Sequence, residues 1–301
     1  MSRQQRLIAA GLRFPEGPSA LGDGSFAVVE MQGEAVSRVT AGAEPVTLGD
    51  LGGGPNGSVV GSAGEVYVAN NGGLSAQGMD YWHAPRSFDG CVQCVTPGGE
   101  ATQVGGPLPG DAPHRPNDLC FAPDGSLLVT DSANWEDMRN LNPGRIVRIE
   151  ANGQTSALAE LPALPNGIGF GADGRLYVAQ SLTRRILVFE WNGGQLSDPE
   201  PFCRLEPGGM PDGFCFDSDG RLYVCTSIGN GVHVYDASGE LKETIETGEG
   251  TQPTNCCLYE GSLYVTLAIP GQLVAYELGV GTLPLHSGSI ESSVAQSCSS
   301  D

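Results

Sequence analysis

Six versions of one phrase recur along this chain, and a chain built that way has few folds open to it. They read "FPEGPSALGDGSFAVVE" from Phe14, "GPNGSVVGSAGEVYVAN" from Gly54, "RPNDLCFAPDGSLLVTD" from Arg115, "LPNGIGFGADGRLYVAQ" from Leu164, "MPDGFCFDSDGRLYVCT" from Met210 and "QPTNCCLYEGSLYVTLA" from Gln252. Their prolines, Pro15, Pro55, Pro116, Pro165, Pro211 and Pro253, stand 40, 61, 49, 46 and 42 residues apart. A period of about 40–50 residues filled with short strands is the mark of a β-propeller, and six copies mean six blades.

Each copy agrees with that reading locally. Proline opens it, at a strand start where a missing backbone donor is tolerated. A short apolar strand follows, and Asp-Gly closes a hairpin at Asp23, Asp124, Asp173 and Asp219. "RLYV"-type alternation makes the returning strand, and stretches such as "GVHVYDASGELKETI" supply the outer pair. No apolar pattern of 3.6-residue period runs beyond two turns. The expected fold is therefore all-β: one six-bladed propeller over residues 1–288 with four-stranded antiparallel blades. Blade six finds a third strand in "GQLVAYEL" (271–278) and lacks its fourth. Either "QRLIAAGL" (5–12) or "GTLPLHSG" (281–288) would supply it, closing the ring with the N- or C-terminal segment. Residues 289–301, small and polar, read as a frayed tail.

The net charge of −20 excludes partners that need a basic surface, namely nucleic acid and anionic membrane. No apolar run is long enough for a membrane helix, and the N-terminus lacks the apolar core of a signal peptide. Nine cysteines without a regular framework suit a reducing compartment, and a cytoplasmic location is expected. Cys91 and Cys94 form a lone C-x-x-C, and Cys256 and Cys257 are adjacent; with no second C-x-x-C, structural zinc and redox chemistry are not favoured. A monomer or small homo-oligomer is expected.

The innermost strand of a blade lines the central channel, so the residue after each proline sits on one face of the ring. Those residues are Glu16, Asn56, Asn117, Asn166, Asp212 and Thr254, with Asp118 and Asn255 one residue deeper. Carboxylates gathered in one channel mouth, with Arg115 the only basic residue nearby, need a cation or a proton. Oxygen ligands from Glu, Asp and Asn suit one hard divalent ion, calcium first, with magnesium and manganese next. Without His or Cys at these positions zinc ranks lower, and iron stays open. Asn-Gly and Asp-Gly are also ordinary turn formers, which is the plain alternative for any single repeat. Glu16 does not fit that alternative. Two long connections, 71–90 and 132–144, return to the same face and are expected to act as lids carrying Tyr81, Trp82, His83, Phe88 and Trp135. There is no G-x-S-x-G, and His83, His114, His233 and His286 show no pairing with a nucleophile, which argues against a serine hydrolase.

"PEGP" (15–18), "RPND" (115–118), "PNGIGF" (165–170) and "PDGFCFDSDGRLYV" (211–224) together resemble the family of regucalcin (senescence marker protein), gluconolactonase and luciferin-regenerating enzyme. The resemblance spans nearly the whole chain. It implies a six-bladed propeller with one divalent metal at the channel mouth and, in many members, lactone hydrolysis. It makes Glu16, Asn166 and Asp212 the metal ligands. Arg115 and Asn117 would then contact substrate, with Asn117 reaching the metal through a water. Diisopropyl fluorophosphatase, a distant relative, brings Asn117 and Asn255 closer to the ion. The chain departs from the sugar-lactone members in its aromatic-bearing loops. A large hydrophobic or phenolic lactone is thus as open as an aldonolactone, and His83 and Trp135 join the expected substrate contacts. In this reading the metal draws charge from the lactone carbonyl and Asp212 is the general base for water attack. Two alternatives stand beside it: another metal-dependent reaction, such as phosphotriester hydrolysis or a biosynthetic step on a carbonyl substrate, and a non-enzymatic calcium-binding propeller.

Overall fold

The computed structural model describes residues 3–75, 83–111 and 113–291. Among the described residues, twenty-four strands form six four-stranded antiparallel sheets arranged as a six-bladed β-propeller. Blade one comprises β2 (Pro15–Ala20), β3 (Ser25–Glu30), β4 (Ala35–Thr40) and β5 (Val46–Asp50). Blade two comprises β6 (Pro55–Val60), β7 (Val66–Asn70), β8 (Cys91–Val95) and β9 (Ala101–Gln103). Blade three runs β10 (Pro116–Phe121), β11 (Leu127–Asp131), β12 (Gly144–Ile149) and β13 (Thr155–Leu161). Blade four runs β14 (Pro165–Phe170), β15 (Leu176–Gln180), β16 (Arg185–Phe189) and β17 (Glu200–Arg204). Blade five holds β18 (Pro211–Phe216), β19 (Leu222–Thr226), β20 (Gly231–Tyr235) and β21 (Leu241–Glu246). Blade six holds β22 (Pro253–Tyr259), β23 (Ser262–Leu267) and β24 (Gln272–Glu277), and its outermost strand is β1 (Gln5–Ala9). The six innermost strands β2, β6, β10, β14, β18 and β22 pack side by side around the channel.

The N-terminal candidate therefore closes the ring. Gln5 pairs with Tyr276 and Leu7 with Val274, and the Tyr276 hydroxyl donates to Gln5 Oε1 at 2.8 Å. Ile8 and Ala9 are buried on β24. Burying an isoleucine is worth about 1.5–3 kcal/mol, and an unpaired β24 would be an apolar sheet edge. Deleting residues 1–9 should lower Tm and yield aggregates; gel filtration and a thermal melt check this.

The other candidate, 281–288, takes a different course. It crosses the face of the ring at which the hairpin turns lie. Thr282 bridges Asp217, Gly281 O accepts from Ser218 N, and Gly288 O accepts from Ser62 N at 2.9 Å. Residues 289–291, expected to begin a frayed tail, continue along the ring instead, Glu291 N donating to Ala151 O at 2.8 Å. Ile290 is buried against Tyr67, Phe121 and Ile149, and its N–H donates to the Tyr67 hydroxyl at 2.8 Å. Residues 292–301 lie outside the described residues.

Hydrophobic burial lies between blades, because each blade's flat faces need a partner. Tyr177, Phe214 and Phe216 fill one inter-blade layer, and Ile168, Leu176 and Phe189 another. The Asp-Gly corners behave as their composition dictates. Gly125 N donates to Ala122 O at 2.9 Å, and Gly125 holds φ at +80°, where a Cβ would be strained. No helix among the described residues is long and apolar enough to cross a membrane.

Candidate metal centre

One local irregularity explains how the polar residues reach the channel. In all six blades the pairing of the innermost strand with its neighbour slips just after the opening proline. The shifts lie between Glu16 and Ser19, Pro55 and Ser58, Pro116 and Leu119, Pro165 and Ile168, Pro211 and Phe214, and Pro253 and Cys256. A bulge of this kind re-aims side chains and frees backbone donors. Side chains of the bulges take up three of those donors: Gly17 N donates to Glu16 Oε2 at 2.8 Å, Leu119 N to Asp118 Oδ1 at 2.9 Å, and Cys256 N to Asn255 Oδ1 at 2.8 Å.

The second bulge residue is glycine in blades one, two, four and five, and the spacing requires it. A Cβ on Gly57 would sit 2.2 Å from Asp118 Oδ1, and one on Gly213 would sit 2.0 Å from the Asn255 side chain. Blades three and six carry Asp118 and Asn255 instead, and these two meet, Asn255 Nδ2 donating to Asp118 Oδ2 at 3.2 Å. They form a floor between opposite blades in the room that the glycines leave. Hydroxyls tie neighbouring blades together at the same level: Ser132 Oγ donates to Pro165 O at 2.6 Å, Ser181 Oγ to Pro211 O at 2.8 Å, and Thr254 Oγ1 to Pro15 O at 2.9 Å.

Glu16, Asn166 and Asp212 sit around this floor. Glu16 is 4% exposed, Asn117 3% and Asn166 9%, while Asp212 is partly open. Burial, then the charges of Asp212 and Asp118, holds the Glu16 carboxyl well above its usual range; the Asn255 side chain hydrogen-bonds it. Burial likewise pushes Asp212 up to about 7, and Asn166 opposes that by hydrogen-bonding its carboxylate. Asp118 is also raised to about 7, by burial first. Three carboxylates from blades one, three and five thus act on one another.

Arg115, expected to balance them, does not. Its guanidinium is buried and engaged elsewhere: Nε and NH2 donate to Glu136 at 3.2 and 2.8 Å, and NH1 donates to His114 O at 2.7 Å and lies 3.4 Å from Asp89. It links loop 132–144, through Glu136, with loop 71–90, through Asp89. His114, which reads as a loop residue, is buried with Nδ1 2.8 Å from Asp131 Oδ2. Trp135 does not stand open on a rim. It is 6% exposed, donates from Nε1 to Leu74 O at 2.8 Å, and packs with Phe14, Met31 and Ala268. Leu141 and Leu164 complete that cluster. Phe14 and Leu164 lie two residues before Glu16 and Asn166, so this buried apolar cluster anchors the starts of the strands that carry them. His83 is exposed and lies within its own loop, Nδ1 3.5 Å from Ser75 Oγ. Tyr81 and Trp82 lie outside the described residues.

Glu136 and Asn71 escaped sequence reasoning. Nothing local joins Glu136 to Arg115, 21 residues away. Asn71 is fully buried, and its Nδ2 has no hydrogen-bond partner among the described residues.

The donor set fits a hard cation: two acids and an amide from separate blades, with a third acid in the floor and no basic side chain among the main influences on any of them. Among the described residues no three His, Cys, Asp or Glu side chains group in metal-holding geometry. Glu16 and Asp212 with an asparagine supply only two such residues, and Asp118 is directed to Asn255.

The family model described as SMP-30/Gluconolactonase/LRE-like region matches residues 14–269, from the first phrase to the last. A gluconolactonase structure from Xanthomonas campestris is 24% identical over 92% of this chain and 90% of that one, with a TM-score of 0.73. Luciferin-regenerating enzyme is 16% identical over 96% of this chain and 100% of that one, with a TM-score of 0.78. The calcium-binding protein regucalcin from Agrobacterium tumefaciens is 17% identical over 96% and 98%, with a TM-score of 0.76. At these identities the likeness shows the fold. No curated protein matches the chain.

Proposed function

Because the chain belongs to the SMP-30/gluconolactonase/LRE-like family, we propose that it is a metal-dependent lactonase with its active site on the face where the bulges gather Glu16, Asn166 and Asp212. The observation that carries this reading is the group of buried acids from separate blades whose main charged influences are one another.

Glu16, Asn166 and Asp212 would hold a divalent cation, calcium first, with Asn117 beside them. When bound, the cation supplies Lewis-acid polarisation of the lactone carbonyl. Asp212 accepts the proton of the attacking water as the water oxygen adds to the carbonyl carbon. The ring C–O bond then breaks, and the departing oxygen takes up a proton to give a hydroxy acid. Asn166 lies beside Asp212 and favours its carboxylate form, against the effect of burial. The Asp118–Asn255 floor separates this chemistry from the channel beneath. Arg115 holds Glu136 and Asp89 in the free protein, so a substrate oxygen that reaches its guanidinium displaces one of those acids. His83, exposed on its lid, meets the far end of the substrate, while buried Trp135 braces loop 132–144 from behind.

The test joins stability with turnover. Calcium, magnesium, manganese and zinc are each added to chelator-treated protein, and Tm is measured. A hundredfold excess over Kd stabilises by about 2.7 kcal/mol, worth several degrees at roughly 2–4 °C per kcal/mol. Hydrolysis of aliphatic, aryl and sugar lactones should appear with the stabilising ion and vanish with chelator. Tm unmoved by every cation, together with chelator-insensitive hydrolysis, would end the proposal.

A further inference from the structure

Beneath the Asp118–Asn255 floor the channel widens into a cavity of about 530 Å³ that runs to the strap 281–288. Phe121, Phe170, Phe214 and Phe216 line it, together with Cys120, Cys215, Cys256 and Cys257. Buried cysteines commonly do no more than pack as small apolar side chains. One pair here is placed otherwise. Cys215 on β18 and Cys256 on β22, from blades five and six, lie with sulfurs 3.5 Å apart. Cys215 is partly exposed to the cavity, and Cys256, 4% exposed, also lines it. Of the two, Cys215 is the more open to the cavity.

Neither cysteine motif in the sequence points to this pair. Cys91 and Cys94 lie three apart in one strand, and Cys256 and Cys257 are neighbours in another, so each set projects to opposite faces. Adjacency around the ring selects Cys256 with Cys215 instead. A disulfide needs its sulfurs about 2.0 Å apart, roughly 1.5 Å closer than they stand, a distance within reach of side-chain rotation. Cys225 on β19 also hydrogen-bonds Cys256 and is the competing partner, but it is fully buried.

We propose that Cys215 and Cys256 form an oxidisable couple, converted by hydrogen peroxide to a disulfide that links blades five and six beneath the candidate metal centre. The first thiol reduces peroxide, releasing water and becoming a sulfenic acid. The second thiol displaces hydroxyl from that sulfur, forming the S–S bond and a second water. Two thiols lose two electrons and two protons in all, and one peroxide takes them up. The couple is independent of the lactonase reading.

Trypsin cleavage after Arg221 and Lys242 puts Cys215, Cys225 and Cys256 on three separate peptides. Full-length reduced protein is treated with hydrogen peroxide, alkylated, and digested without reductant. Mass spectrometry should find the Cys215 and Cys256 peptides joined, with fragmentation separating Cys256 from Cys257 and Cys298. The thiol count of the unfolded chain should fall by two, and dithiothreitol should restore it. Cys215→Ser should abolish both changes, and Cys225→Ser should keep them. Sulfinic or sulfonic acid without a joined pair, a Cys225–Cys256 link, or an unchanged thiol count would each overturn the proposal.

Discussion

Asp212→Asn should cut lactone hydrolysis by at least about a thousandfold, because it removes both the proton acceptor and a charged ligand of the cation; a general base alone contributes about 10²–10⁴. The same substitution should raise the Tm of chelator-treated protein. Asp212 is the leading charge that pushes the Glu16 carboxyl up, and it lies close to Asp118, so neutralising it relieves like-charge repulsion among buried groups. It should also shrink the rise in Tm that the cation produces. A thermal melt with and without cation, beside a turnover assay, reads all three effects. A variant that keeps its rate would remove Asp212 from the mechanism. A variant less stable than the parent without cation would show that the acids are not in mutual repulsion.

Gly57→Ala is expected to have the largest effect on stability. The added methyl would lie 2.2 Å from Asp118 Oδ1, 2.6 Å from Asp118 Cα and 2.8 Å from Asn117 O. Two of those three atoms are backbone, so rotating the Asp118 side chain does not relieve the clash. Blades two and three must move apart, or the bulge must be remade. Overpacking of this kind costs about 3 kcal/mol or more, a fall in Tm of roughly 6–12 °C. Gly98→Ala is the control. Its Cβ would meet nothing nearer than Thr96 Oγ1 at 3.7 Å, and its stability should stay within about 0.5 kcal/mol of the parent. If Gly57→Ala melts with the parent, the innermost strands are not packed as closely as described.

The two variants separate two roles of the same short motif. Proline opens the strand, the next residue supplies the oxygen donor, and the glycine after it admits the neighbouring blade. Asp212 tests the donor and Gly57 the space. Asp118 and Asn255 break the glycine rule together, at blades three and six, and the hydrogen bond between them is the reason both are tolerated.

Much of this was legible without tertiary structure. Strands and corners depend on residues close together in the chain, and the phrase repeats them six times; the repeat alone implied six blades and one polar face carrying Glu16, Asn56, Asn117, Asn166, Asp212 and Thr254, and only the family resemblance singled out Glu16, Asn166 and Asp212. What the repeat could not contain was anything joining residues that differ between copies. Arg115 answers to Glu136 and Asp89 on the lids and not to the acids beside which its motif stands. Trp135 is buried in an apolar cluster, the terminal strap crosses the opposite face, and Cys256 meets Cys215 of the neighbouring blade, a partner that neither sequence motif names. Each of these contacts is set by how far two strands stand apart around the ring and which way their side chains turn. Only the packed blades determine that, since the chain between the partners carries no trace of it.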